Sequence, residues 1–220
     1  MSNARRNCLN YTINENVFNK IDTPEKAYWL GVMYADGYIA EQKYTNKFGI
    51  AVNADDIEWL YKFKSFLNYN GAIKIYKQGG NGYAPGKEYA RLLIGNNTIV
   101  EDLKKHGVIP HKTKIIQSLP NILFKDDFIR GYIDGDGALL KRLPNIMISG
   151  NKDFLQDIAN YFNINYILLP DKSIYSLRYN KKESEYLEKR LYKNASVYLD
   201  RKYQIAKRSF NSPIILEDIM

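Results

Sequence analysis

The sequence predicts an α+β fold built from two pseudo-symmetric halves around a central pair of helices. The first observation is an apolar segment that ends in Asp-Gly and occurs twice, at 29–37 and at 129–137. The second is the order of apolar patterns, which indicates helix, two strands, helix, two strands and helix in each half. Three pairs of identical residues lie 100 positions apart in the two segments: Gly31 and Gly131, Asp36 and Asp136, Gly37 and Gly137.

Each repeated segment is predicted to be a helix that ends at its Asp-Gly. Residues typical of a helix start precede both copies: Thr23, Pro24 and Glu25 in the first, Asp126 and Asp127 in the second. A capping hydroxyl, a proline at the first helical position and acidic residues in the first turn all favour that end of a helix. At the other end we expect Gly37 and Gly137 to stop the helices in the left-handed conformation.

Small residues follow a spacing of four inside both predicted helices: Ala27, Gly31 and Ala35 in the first, Gly131 and Gly135 in the second. A glycine inside a helix costs on the order of 1 kcal/mol relative to alanine. Residues four apart share one helix face, where small side chains allow two backbones to approach closely. The sequence therefore predicts that these two helices pack directly against each other.

Asp36 and Asp136 fall at the last turns of the two helices, where the helix dipole disfavours an anion. Two like charges brought together there also repel each other unless a cation lies between them. Paired carboxylates can hold the divalent metal of a phosphodiester-cleaving site. The alternative for each motif alone is an ordinary Asp-Gly turn.

The remaining elements are predicted at matching places in the two halves, 23–116 and 126–220, with a lead-in at 1–22 and a linker at 117–125. In the first half the strands are 38–44, 48–53, 72–76 and 89–94, and the helices are 56–67 and 98–106. In the second half the strands are 138–142, 145–149, 166–169 and 174–179, and the helices are 153–162 and 183–192. The lead-in is expected to lie across the central helices or to add a contact with DNA.

Each half thus has four predicted strands with one apolar face, which helices should cover. The two free faces side by side would form a long saddle of antiparallel strands, a shape that can enter the major groove of DNA. Seven polar residues lie on the predicted outer phase: Asn53, Lys74, Arg91, Arg142, Ser149, Ser176 and Arg178. The alternative for any one of them is a solvated outer face without a partner.

The two Asp-Gly segments resemble the paired motifs of the LAGLIDADG homing endonucleases in their single-chain, two-motif form. The resemblance extends from about 21 to 208. It implies that Asp36 and Asp136 bind the catalytic divalent metal, which is Mg²⁺ or another divalent cation such as Mn²⁺. The earlier motif acid of the family is Tyr34 in the first copy and Asp134 in the second, and we interpret Asp134 as a structural residue of the helix end.

The tails of the two halves also match, 109–115 with 199–205. In the family a lysine near this position supports charge or solvent at the scissile phosphate, which implies catalytic roles for Lys112 and Lys202. Both could instead be ordinary surface lysines at a helix start. A polar residue at the end of the second strand often joins the family's site, and Asn53 and Ser149 are predicted to be the matching positions.

The resemblance implies site-specific cleavage of double-stranded DNA by a monomer, at a long and nearly asymmetric target, in a homing role. The alternative is a nucleic-acid-binding module of the same fold without cleavage, such as an RNA maturase or a transcription regulator. Loss of one motif acid would have indicated that alternative, and both acids are present. The enzyme is therefore the favoured interpretation.

Composition agrees with a polyanionic partner, although a Lys-rich genome alone would also raise the charge. The net charge is +8, and a basic surface favours nucleic acid. The single cysteine, Cys8, cannot form an internal disulfide, and the two histidines are not spaced as zinc ligands. Without a run of 18 apolar residues or a signal-peptide pattern, we expect a soluble intracellular protein of a bacterial or phage-infected cytoplasm or an organelle, with no membrane partner.

Overall fold

A computed structural model describes residues 11–77, 86–109, 118–142, 145–213 and 219, and these form an α+β fold in two similar halves. The helices are α1 (Pro24–Ala35), α2 (Ile57–Phe66), α3 (Asn97–Lys105), α4 (Lys125–Asp136), α5 (Lys152–Phe162), α6 (Lys181–Tyr192) and α7 (Asp200–Ala206). The strands are β1 (Tyr38–Ala40), β2 (Lys47–Asn53), β3 (Lys74–Lys77), β4 (Glu88–Gly95), β5 (Gly137–Leu139), β6 (Ile146–Gly150), β7 (Ile167–Asp171) and β8 (Ile174–Tyr179). Short 3-10 turns at Ala54–Asp56 and Lys207–Ser209 precede α2 and follow α7.

The two sheets have the same topology, which confirms the predicted order of elements. Their strand orders are β1-β2-β4-β3 and β5-β6-β8-β7, and every pairing is antiparallel. The second half continues into α7, a helix that the apolar pattern of the sequence did not predict.

One face of each sheet is apolar and lies under helices, as predicted. On β2 the alternating residues Phe48, Ile50 and Val52 are buried, and on β4 Leu92 is fully buried. The predicted apolar face of α2 packs over them, with Phe63 also inaccessible to solvent. Removal of this apolar surface from water is the main stabilising contribution to each half.

The central helices α1 and α4 pack against each other more extensively than any other pair of elements in the described chain. A Cβ atom added at Gly31 would lie 2.0 Å from the carbonyl oxygen of Phe128, and one at Gly131 would lie 2.0 Å from that of Tyr28. These two contacts are related by the same offset of 100 residues as the motifs. The prediction of a glycine-mediated helix pair is therefore confirmed.

The predicted left-handed conformation of the motif glycines is wrong. Among the described glycines a positive φ occurs only at Gly86 and Gly107, and Gly137 is extended, with φ −89° and ψ 165°. The helix α4 instead continues directly into β5, and α1 reaches β1 after Asp36 and Gly37. Glycine is required there for its size, because a Cβ at Gly37 would lie 2.6 Å from the Cα of Met33.

The strands β1 and β5 are shorter than predicted because other groups take their hydrogen bonds. After β1, the side chain of Asn46 accepts a hydrogen bond from the amide of Gln42 and closes a turn. After β5, the guanidinium of Arg208 donates to the carbonyl oxygens of Leu140 and Lys141 at 2.6 and 3.1 Å. Arg142 consequently lies exposed in a turn and not on the outer phase of a strand, which corrects the prediction for this residue.

The described part of the lead-in packs on α2 and α3. Phe18 is fully buried and contacts Phe66 edge-on, and its carbonyl oxygen lies 2.8 Å from Nε2 of His106. The amide of Asn14 donates to the carbonyl of Leu67. The segment is therefore anchored to the first half through Val17 and Phe18, which belong to its core. None of the helices in the described ranges is long and apolar enough to cross a membrane.

Candidate metal and nucleic-acid site

The two motif carboxylates lie at the same end of the central helix pair. A Cβ built on Gly135 would come 2.4 Å from the Cβ of Ala35, so the last turns of α1 and α4 touch. The same position is 3.2 Å from Oδ2 of Asp36, and Asp136 is the next residue along α4. Asp36 is half-buried and Asp136 is exposed. Because both lie at the negative ends of helix dipoles, a cation at this place is electrostatically favoured.

The phenol of Tyr132 lies close enough to both carboxylates to be affected by their charge. Burial raises the pKa of its phenol, and the negative charges of Asp136 and Asp36 raise that pKa further. Its hydroxyl donates to the carbonyl oxygen of Ser149 at 2.9 Å, which ties α4 to the end of β6. Position 32 of the first copy is Val32, so this contact has no counterpart across the repeat.

Asp134 forms the centre of a buried hydrogen-bond network, which confirms its structural role. Its carboxylate accepts from the hydroxyls of Tyr28 and Tyr192 at 2.7 and 2.8 Å and from the amide of Leu199 at 2.8 Å. The indole of Trp59 donates to the Tyr28 hydroxyl at 2.7 Å. Burial raises the pKa of Asp134, and the hydrogen bonds and Lys202 oppose that effect. The network connects α1, α2, α4, α6 and the segment before α7.

Lys202 holds the C-terminal end of α4. The side chain is nearly inaccessible to solvent, and its Nζ donates to the carbonyl oxygens of Ile133, Asp134 and Gly137 at 2.6, 2.7 and 2.7 Å. Burial lowers the pKa of Lys202 to about 8, and the carboxylates of Asp134, Asp36 and Asp136 act in the opposite direction. A cation that binds the last carbonyls of a helix satisfies groups that the helix itself cannot.

No protein-family model matches the chain, and no curated protein matches it significantly. Among solved structures, the LAGLIDADG homing endonuclease I-LtrWI bound to target DNA superposes with a TM-score of 0.60 at 12% identity, over 90% of this chain and 91% of that chain. The LAGLIDADG meganuclease I-AabMI bound to uncleaved DNA gives 0.56 at 12% identity, over 86% and 90%.

The chain has the LAGLIDADG fold. A third structure, the meganuclease I-SmaMI bound to uncleaveable DNA, agrees with a TM-score of 0.54 at 11% identity, over 86% of this chain and 90% of that chain. Both halves of the fold are present in this one chain, as the single-chain form requires.

Strand register within the LAGLIDADG fold shows which outer-face residues of the two halves correspond. Tyr38 pairs with Gly49 in the first sheet, and Ala138 pairs with Met147 in the second. Counting along the strands from these pairs shows that Asn53 of the first half is equivalent to Asn151 of the second. By the same count Ala51 of the first half is equivalent to Ser149 of the second.

The predicted match of Asn53 with Ser149 is therefore wrong by two positions. The side chain of Asn53 accepts from the amide of Asp55 at 3.2 Å, and that of Asn151 accepts from the amide of Asp153 at 2.9 Å. Both asparagines thus begin the helical segment that follows their strand. The sequence signal was present, since an Asn precedes an acidic residue by two in both halves.

The other predicted surface residues lie on the outer sheet faces with different exposures. Lys74 is exposed and faces Arg91, which is half-buried. Arg178 is also half-buried, and its Nε donates at 3.2 Å to the hydroxyl of Ser176, which is buried. Lys112 falls outside the described residues.

Proposed function

We propose that this protein is a site-specific endonuclease that hydrolyses double-stranded DNA with a divalent metal. It acts as a monomer on a long, nearly asymmetric target. The observation that carries the proposal is the meeting of Asp36 and Asp136 at one end of two touching helices, each of which leads into the first strand of a four-stranded sheet. The fold likeness to DNA-bound endonucleases supports it.

The donor set fits Mg²⁺. No cluster of three or more acidic, His or Cys ligands occurs among the residues for which the structure gives positions. Mg²⁺ commonly binds through one or two carboxylates, completed by substrate phosphates and water. Asp36 and Asp136 would hold it, and oxygen ligands suit this hard cation. When bound, the ion neutralises charge on the phosphate and activates water.

The chain's own contribution is to hold the two carboxylates rigidly. Lys202 donates to two carbonyls in the last turn of α4, and the side chain of Asp134 in that turn accepts from the amide of Leu199, so the backbone before Asp136 is held in place. One motif acid then serves each DNA strand. The predicted role of Lys112 near the scissile phosphate remains part of this proposal. All three N–H groups of Lys202 are bound to backbone carbonyls, so Lys202 would act on cleavage by positioning the end of α4 that carries Asp136.

Loss of Lys202 should destabilise the fold as well as slow cleavage. We expect Lys202→Met to lower the free energy of unfolding by about 3 kcal/mol, because three carbonyls lose a charged donor. Thermal melts measure this, with Lys20→Met at an exposed position as the matched control. At a temperature where the variant is folded, single-turnover cleavage should fall more than DNA affinity. A variant that melts like the parent would contradict the role of Lys202 at the helix end.

DNA affinity should depend steeply on salt. The net charge of +8 and the cations of the outer faces imply phosphate contacts, so the logarithm of the association constant should fall linearly with that of salt, by about 0.9 per phosphate contacted. Lys74→Ala should reduce the slope by about 1, whereas Lys20→Ala should leave it unchanged. A salt-independent affinity would contradict the assignment of the outer faces.

The proposal is tested by selection from a random duplex library. Incubation with Mg²⁺ should enrich one family of cut sites, and EDTA should abolish cutting. Specific binding of duplex DNA without cleavage under any divalent cation would identify the binding module instead. Absence of both binding and cleavage would overturn the proposal.

A further inference from the structure

We propose that the two halves read their DNA half-sites by different chemistry. The first half recognises guanine through a cationic side chain, and the second recognises thymine through apolar contacts with its C5 methyl group. The inference rests on the proposed DNA-binding function and deepens it. A nearly asymmetric target is already expected, and the new statement is which base chemistry belongs to which half.

Residues at equivalent places in the two sheets differ in charge. In the first, Ala51 pairs with Arg91, and Arg91 pairs with Lys74. In the second sheet Ser149 occupies the place equivalent to that of Ala51. Ser149 pairs with Ser176, and Ser176 pairs with Leu169. The arginine and lysine of one rung are thus replaced by a serine and a leucine in the other.

The first half presents a basic hollow on its outer face. Lys47, Lys74 and Arg91 line a hollow of about 160 Å³. The guanidinium of Arg91 lies 5.4 Å from the centre of the Tyr76 ring, which restrains it. Arg91 as a whole is half-buried, and its Nε is buried without an acceptor among the described residues. Guanine offers O6 and N7 in the major groove, where arginine is the commonest partner, so Arg91 is the residue that reads the base and Lys74 beside it contacts phosphate.

The second half presents an exposed apolar edge strand. Ile167 and Leu169 are each 41% exposed on β7. Ile167 pairs with Arg178, which also faces Met147 on β6. Arg178, the cation beside Ile167, donates from its Nε to the hydroxyl of Ser176 in the neighbouring rung.

An apolar outer face has one natural partner in a major groove. The thymine C5 methyl is the apolar group that the groove displays. The two sheets have the same topology and flank the same carboxylates, so a duplex held by the basic face of the first half continues over the apolar face of the second. The occupant of this face is therefore the same DNA.

Base analogues test the two chemistries separately. Uracil in place of thymine removes only the C5 methyl, and 7-deazaguanine in place of guanine removes only the N7 acceptor. Each base of a selected target is replaced in turn, and affinity is measured in EDTA so that no strand is cut. We expect uracil to weaken binding about fourfold per contacted methyl, in one half-site only. We expect 7-deazaguanine to weaken it about tenfold in the other.

Variants assign each effect to a half. Leu169→Ala should abolish the difference between thymine and uracil at one position, and Arg91→Ser should abolish that between guanine and 7-deazaguanine in the opposite half-site. Leu123→Ala, at a leucine that is 82% exposed in the linker, should change neither. The inference is overturned if uracil has equal effects in both half-sites, or if neither variant removes an analogue effect. Absence of any specific duplex binding would instead overturn the proposed function itself.

Discussion

Asp36→Asn and Asp136→Asn are each expected to abolish double-strand cleavage while DNA affinity stays largely unchanged. An amide keeps the size of the carboxylate and removes the charge that a divalent cation requires. The outer faces of the sheets, which bind DNA in our proposal, are untouched. Single-turnover cleavage and a binding titration on the same duplex measure the two properties separately.

Asp22→Asn is the matched control for these variants. Asp22 pairs with Lys26 at the start of α1, at the opposite end of that helix from Asp36. Its loss should leave cleavage intact. Undiminished cleavage by either motif variant would refute the assignment of the metal site, and equal losses of affinity and cleavage would indicate a structural role for the acid.

Gly31→Leu and Gly131→Leu should each prevent the central helices from packing. The atom nearest to an added Cβ is a backbone carbonyl oxygen, 2.0 Å away in both cases, and a backbone atom cannot rotate aside. Overpacking typically costs about 1–3 kcal/mol, and we expect at least the upper value here. For a chain of this length that corresponds to a fall in Tm of about 10 °C.

Ser65→Leu is the control, because it adds the same side chain at an exposed position of α2. Calorimetry should show its Tm close to that of the parent. If both glycine variants melted like this control, the close contact between α1 and α4 would be wrong. Gly31→Ala should already be destabilising, since the clash arises at Cβ.

Local patterns predicted most of the fold. Apolar alternation placed Phe48 and Ile50 inside and Arg91 outside, and it depends only on neighbouring residues. The repeat placed Asp36 and Asp136 on equivalent helices, and the fold of the second half supported that of the first. Sequence could identify these features because each depends on spacing within one element or on the offset of the repeat.

Contacts between distant segments could not be predicted in this way. The matching position of Lys202 was recognised from the repeat. Its binding to the carbonyls of Ile133 and Asp134 in α4 and of Gly137 in β5 depends on where α7 packs. The network around Asp134 likewise joins residues 58 to 106 positions apart. The motif glycines illustrate a different ambiguity. A glycine after a helix suits both a left-handed stop and a tight contact, and only the surrounding atoms distinguish them.

The most direct test of the account follows both strands of one duplex. A selected target labelled differently on each strand is incubated with the protein over a range of Mg²⁺ concentrations, with EDTA as the zero point. The account predicts that both strands are cut only when Mg²⁺ is present, and that Asp36→Asn or Asp136→Asn removes the double-strand break at every concentration. Cutting in EDTA, or an unchanged double-strand break in either variant, would contradict a metal site built from these two carboxylates.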